Sequence, residues 1–222
     1  QYEQGTNAYH IPIIFELNSD IRIEGIKYAL QQIVSRHEVL RSTIESGDQQ
    51  SYGIQKVHDE PLPIEEIALE SKEDCNTLLK TDINRPFDLI REYPIRVKFY
   101  TIQSDKKASV NPFDKTIMLI TFHHVAYDGW SMNVFLRELF TYYEAYINGN
   151  INYQLPPLEI QYKDYAVWQR AYLTGEILEK QLRYWKDTLE GYQTLELPTD
   201  FVRPSEIDYS GASQVFTLNK VI

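Results

Sequence analysis

Two adjacent histidines, His123 and His124, stand in ITFHHVAYDGWS, residues 120–131, with Asp128 four residues after the second and Gly129 directly behind it. An imidazole ordinarily titrates at about 6.5, so it can accept a proton or a hydrogen bond near neutrality. Two histidines and a carboxylate could also form a facial triad for iron. Successive side chains on an extended segment point to opposite faces, however, so neighbouring histidines rarely chelate one ion. His10 and His58 are isolated in the sequence and supply no obvious further ligands. The expectation is a proton-handling site without a metal.

The motif needs a rigid frame, and its flanks supply one. KTIMLITF, residues 115–122, is short, β-branched and aromatic, which predicts a buried strand. SMNVFLRELFTYYEAYING has apolar residues at Val134, Leu136, Leu139, Phe140 and Tyr143, which predicts a helix. The histidines therefore fall at a strand end, where open sheets carry their chemistry. Ser131 suits the N-cap of that helix. IPIIFEL, residues 11–17, reads as a strand, and residues 21–37 as a helix with Ile26, Ala29, Leu30, Ile33 and Val34 on one face and Gly25 interrupting near its start. VLRSTIES and SYGIQKV flank GDQQ as a hairpin, and LPIEEIAL is a further short strand. Ser71 and Asp74 suit the start of a helix KEDCNTLLKTDI that Pro86 ends. In PIRVKFYTI, Ile95, Val97 and Phe99 alternate with Arg96, Lys98 and Tyr100, predicting one buried and one polar face. Residues 103–114 read as a loop, residues 162–174 and 176–190 as helices separated by Gly175, and SQVFTL as a last strand. Tyr165, Trp168, Tyr184 and Trp185 have the spacing of helix packing. The fold class is α/β: a mixed β-sheet packed by helices.

Composition narrows the function. The chain has 222 residues, 43% of them hydrophobic, which is enough for a sizeable core. A formal charge of −10, with no cluster of Lys and Arg, argues against nucleic acid. No apolar run is long enough to cross a bilayer, and nothing resembles a signal peptide, so the expectation is a cytoplasmic protein without a membrane partner. The single cysteine, Cys75, excludes an intrachain disulfide, and without a histidine nearby it reads as a buried, idle thiol.

HHVAYDG resembles the HHxxxDG signature of the condensation domains of nonribosomal peptide synthetases, which belong to the chloramphenicol-acetyltransferase-like superfamily. SRHEVLRSTI resembles their RHExLRTxF segment, and NRPFDLIREYPIRVKFY their PFDLxxxPLxR stretch. YKDYAVWQR is similar to YxDYAxWQ, and LELPTDFVRPSEIDYSGA to LPTDxPRP. The resemblance implies a chloramphenicol-acetyltransferase-like lobe, with residues 1–222 forming the N-terminal lobe of a two-lobed condensation domain whose second lobe is absent from this chain.

The implied reaction is amide formation between an acyl or peptidyl thioester on a donor carrier protein and the amine of an aminoacyl thioester on an acceptor carrier protein. The 4′-phosphopantetheine arms arrive with those carrier domains, so no cofactor is bound intrinsically. The implied partners are the two peptidyl carrier domains, the C-terminal lobe and an adjacent adenylation domain. His124 is the implied catalytic residue, and His123 a structural support whose hydrogen bond orients the loop. Asp128 is implied to pair with Arg41 of RHEVLRST. Gly129 lets the chain turn, or lets a pantetheine arm pass close to the backbone. Arg36 and His37 read as structural. Without its second lobe this chain is expected to be inactive alone. A free acyl-coenzyme A acyltransferase of the chloramphenicol type is the alternative enzyme, and a noncatalytic carrier-docking module the alternative of another class.

Overall fold

The computed structural model describes residues 6–47, 53–102, 115–202, 205, 214 and 216–217. In chain order the elements are β1 (His10–Leu17), α1 (Ile23–Arg36), β2 (Ser42–Ser46), β3 (Gly53–Val57), β4 (Ile64–Leu69), α2 (Lys72–Asn84), β5 (Ile95–Ile102), β6 (Lys115–His123), α3 (Ser131–Ile147), α4 (Tyr162–Tyr172) and α5 (Gly175–Thr188). Short 3-10 turns precede β1 at Thr6–Tyr9 and β2 at Glu38–Arg41. The predicted loop over 103–114, most of the hairpin turn and most of SQVFTL lie outside the described residues.

Alternation builds the main sheet, in the order β1-β6-β5-β4. β1 and β5 both run antiparallel to β6, whereas β4 is parallel to β5. A parallel pair needs a crossover, and α2 supplies it. Ser71 starts that helix, its Oγ accepting from the Asp74 amide at 3.1 Å while its hydroxyl donates to Asp74 Oδ2 at 2.7 Å. β2 and β3 form a separate antiparallel hairpin.

One sheet face meets α1 and α3. Ile95, Val97 and Phe99 of β5 and Met118, Ile120 and Phe122 of β6 lie there, none more than 3% exposed, against Ala29, Leu30 and Ile33 of α1 and Phe135 and Leu139 of α3. Gly25 belongs to this contact. A Cβ on it would sit 2.9 Å from ring atoms of Tyr143 and Tyr146, so glycine lets α1 and α3 approach each other.

Three expectations are corrected. The second face of β5 is not simply polar: α2 covers it, burying Tyr100 and Leu119 with Cys75 and Leu79. Its charged residues remain at the rim, where Lys98 Nζ bridges Asp82 at 2.8 Å and Glu65 at 3.0 Å. In α3 the buried stripe is Phe135, Glu138, Leu139 and Tyr142, while Val134 and Phe140 are exposed, so the inward face is turned by about one position. Finally, α4 and α5 are amphipathic yet bury no residue. Tyr165, Trp168, Tyr184 and Trp185 are 43–60% exposed, and on α4 the rings stack on one another instead of on a core, Trp168 lying 5.0 Å from Tyr172. The start of α4 is nevertheless tied to the body, because Gln161 accepts from the Glu38 amide at 3.2 Å and donates to the Arg36 carbonyl at 3.0 Å. Among the described residues no helix is long and apolar enough to cross a membrane.

Candidate active site

β6 ends on His123, directly opposite His10 at the start of β1. Backbone hydrogen bonds fix the exit from the sheet: the His123 amide donates to the Pro94 carbonyl at 2.9 Å, and the His124 amide to the Tyr9 carbonyl at 2.8 Å. Beyond them Tyr127 anchors the loop from below. Its ring is 5% exposed and stacks on Phe122 with centroids 3.9 Å apart. The strand end and the buried tyrosine thus hold the short segment between them.

The two histidines face different surroundings. His124 is exposed, and its imidazole stands at the wall of an open cup of about 360 Å³ formed with Tyr9, His123 and Val125. His123 is partly covered, and its Nδ1 accepts a hydrogen bond from the Val125 amide at 3.0 Å. The Tyr9 ring stacks on it at 6.0 Å, and Phe87 meets it edge-on at 5.6 Å. Burial holds the His123 pKa below the usual imidazole value, and the positive charges of His10, His124 and Arg96 act in the same direction. An imidazole kept neutral in this way suits a positioning role.

His10, isolated in sequence, belongs to the site in space. Its Nδ1 donates to the Ile83 carbonyl at 2.7 Å, which leaves Nε2 as a buried lone pair without a protein partner among the described residues. Phe87 packs edge-on against His10 at 5.2 Å, and the Arg96 guanidinium lies 3.6 Å above the Phe87 ring. Glu92 holds Arg96 through bonds of 3.0 and 2.8 Å. Tyr9, His10, Phe87 and Arg96 carried no local sequence signal. Only the pairing of β1 with β6 would have brought the first two to His123. Among the described residues no group of three or more His, Cys, Asp or Glu is arranged to hold a metal.

The Asp128–Arg41 pair does not form. Asp128 Oδ1 accepts from the Ser131 amide at 2.9 Å and from the Ser131 hydroxyl at 2.7 Å. The Ser131 hydroxyl chiefly holds the carboxyl below its usual range, helped by the Ser131 amide. Ser131 is therefore the first residue of α3 and not its cap. Asp128 satisfies one of the amides a helix start leaves free. Arg41 turns to the hairpin side, donating to Asp59 at 3.0 Å, to the His58 carbonyl and to the Ser35 carbonyl at 3.3 Å. Gly129 has no positive φ, and a Cβ there would meet nothing within 4 Å, so the turn itself does not demand glycine. Alanine at Asp128 and at Arg41 is expected to perturb separate structures. In a double-mutant cycle followed by thermal melting their effects should add; a clear coupling would restore the direct pair.

Sequence reasoning also missed Glu138. Only 4% exposed, it accepts from Arg36 Nε at 3.1 Å and lies 2.7 Å from His37 Nε2. It ties α3, which follows the motif loop directly, to the end of α1. The largest cleft among those described, about 380 Å³, opens on the hairpin side away from His124. Its Arg85 and Arg96 both bond Glu92, so it offers no unopposed cation cluster.

A mixed sheet presenting a histidine from a strand end beside an amphipathic helix defines an acyl-transfer lobe of the chloramphenicol-acetyltransferase type. The chain belongs to the condensation domain family, whose model matches residues 1–222. It is 39% identical over 213 residues to a linear gramicidin synthase of Brevibacillus parabrevis, a match spanning 92% of this chain and 3% of that synthase. It is 37% identical over 218 residues to malpibaldin synthetase of Mortierella alpina, spanning 96% of this chain and 4% of that enzyme. Among solved structures, the X-domain from teicoplanin biosynthesis superposes with a TM-score of 0.71 at 27% identity, covering 88% of this chain and 42% of that one. The epimerization domain from the third module of tyrocidine synthetase B shares the fold, with a TM-score of 0.71 at 21% identity over 89% of this chain and 44% of that one.

Proposed function

We propose that this chain supplies the histidine-bearing lobe of a condensation domain that forms an amide bond in nonribosomal peptide synthesis. In the reaction, the amine nitrogen of an aminoacyl thioester attacks the carbonyl carbon of an acyl or peptidyl thioester. The new C–N bond forms as the C–S bond breaks, the sulfur leaves with the electron pair, and the proton lost from nitrogen balances the thiol. His124 hydrogen-bonds the attacking amine and handles that proton. His123 keeps the loop in place, and Asp128 acts through the start of α3. The observation that carries this reading is the free His124 imidazole, presented by a fixed strand end at an open cup. The 4′-phosphopantetheine arms of donor and acceptor carrier domains are substrate here, and exposed Gly129 leaves a backbone edge open for one of them to pass.

The apolar faces of α4 and α5 support a larger assembly. Trp168, Leu182, Tyr184 and Trp185 are each at least half exposed, and a contiguous apolar surface of this kind is usually covered in the working protein. The chain spans well under half of each of these two solved relatives. We therefore place residues 1–222 as the N-terminal lobe, completed by a C-terminal lobe and working beside an adenylation domain in a cytoplasmic synthetase. A free chloramphenicol-type acyltransferase is disfavoured, because the condensation model accounts for the whole chain.

A docking-only module is the reading from another class, and the intact histidine site speaks against it. Donor-loaded and acceptor-loaded carrier proteins incubated with the intact domain separate the two. Catalysis yields a dipeptidyl thioester on the acceptor carrier, visible by mass spectrometry. Tight carrier binding without that product would support docking alone.

A further inference from the structure

We propose that Tyr9 and Val125 form a side-chain subsite for the attacking amino acid, an apolar wall beside His124 that favours an apolar or aromatic residue on the acceptor thioester. The proposal rests on the condensation reading and adds a substrate preference to it. Tyr9 is 52% exposed and Val125 39%, and both line the cup that His124 enters. Two large side chains left open beside a reactive imidazole make a ligand surface. Neither is free to wander. The Tyr9 carbonyl holds the His124 amide at 2.8 Å, the Tyr9 ring stacks on His123, and the Val125 amide is bonded to that same ring.

Bond lengths say what reaches this wall. An amine positioned by His124 lies about 3 Å from the imidazole nitrogen. The side chain of the same amino acid branches from the carbon bonded to that amine, about 1.5 Å further on, so it starts next to Tyr9 and Val125. The donor's side chain lies beyond the carbonyl under attack and is carried away from the cup. A charged acceptor side chain would lose water there without gaining a partner. Arg96, the nearest arginine to His123, is already bonded to Glu92 and packed on Phe87.

The test uses the intact synthetase with the acceptor carrier loaded in turn with phenylalanine, leucine, glycine or aspartate and a fixed donor. The wild type should prefer phenylalanine and leucine over glycine and aspartate by about tenfold or more in kcat/KM, a span that pocket contacts reach. Tyr9→Ala should collapse the phenylalanine-to-glycine ratio severalfold, whereas Tyr9→Phe should keep it. An Ala ratio within a factor of two of the wild type overturns the proposal. If the wild type makes no dipeptide from any pair, the condensation reading falls. The subsite then stands or falls on phenylalanyl-pantetheine amide titrated into the 222-residue chain: chemical-shift changes at both Tyr9 and Val125 support the wall, and their absence overturns it.

Discussion

Replacing His124 by alanine in the intact domain is expected to lower the single-turnover rate of amide formation by at least ~100-fold, the lower range for a positioned acid–base group. Melting temperature and carrier affinity should stay close to those of the parent. The separation follows from geometry. The His124 side chain is exposed and no packing depends on it, while its backbone amide, which does join the strands, survives the substitution. His123→Ala should differ, since it removes a ring packed against Tyr9 and Phe87 and the acceptor for the Val125 amide. Near-normal product formation by the His124 variant would refute its assignment.

Glu138→Ala is expected to give the largest loss of stability, about 3–5 kcal/mol, because it leaves Arg36 partly buried without its counter-charge. Chemical denaturation checks the magnitude, and a loss below about 1 kcal/mol would contradict it. The same group sets an acid limit. Burial pushes the Glu138 carboxyl upward, but His37 and Arg36 outweigh it, so the folded pKa lies below the ordinary value. A depressed carboxylate contributes stability above the unfolded pKa of about 4.3 and loses it as pH falls through the lower folded value. Parent stability should therefore fall steeply below about pH 4, and the Glu138→Gln variant should show a shallower fall.

Local features were legible in the sequence and distant ones were not. The period of two in residues 115–122 and the helical period after Ser131 are nearest-neighbour properties, so strand, loop and helix could be placed around His123 and His124. The inward face of α3 was misjudged by about one position, because the contact with α1 through Gly25 decides which residues turn in. His10, Tyr9 and Phe87 reach the site through strand pairing and chain reversal, which spacing does not encode. The Asp128–Arg41 pair failed for a physical reason. A carboxylate at a helix start finds free amides three residues away, and Asp128 is satisfied there by Ser131, while Asp59 satisfies Arg41. The exposed rings of α4 and α5 have helical spacing with nothing among the described residues to pack against, so periodicity alone could not tell core from interface.

The central claim is that residues 1–222 present the reactive histidine but need a second lobe to hold two thioesters in register and exclude water, because positioning supplies much of the rate gain. Donor-loaded and acceptor-loaded carrier proteins, mixed with the 222-residue chain or with the intact domain containing it and analysed for dipeptidyl thioester, test this directly. The account predicts product with the intact domain and none above background with the chain alone, even though the chain is folded. Robust turnover by the 222-residue chain as a monomer would contradict it.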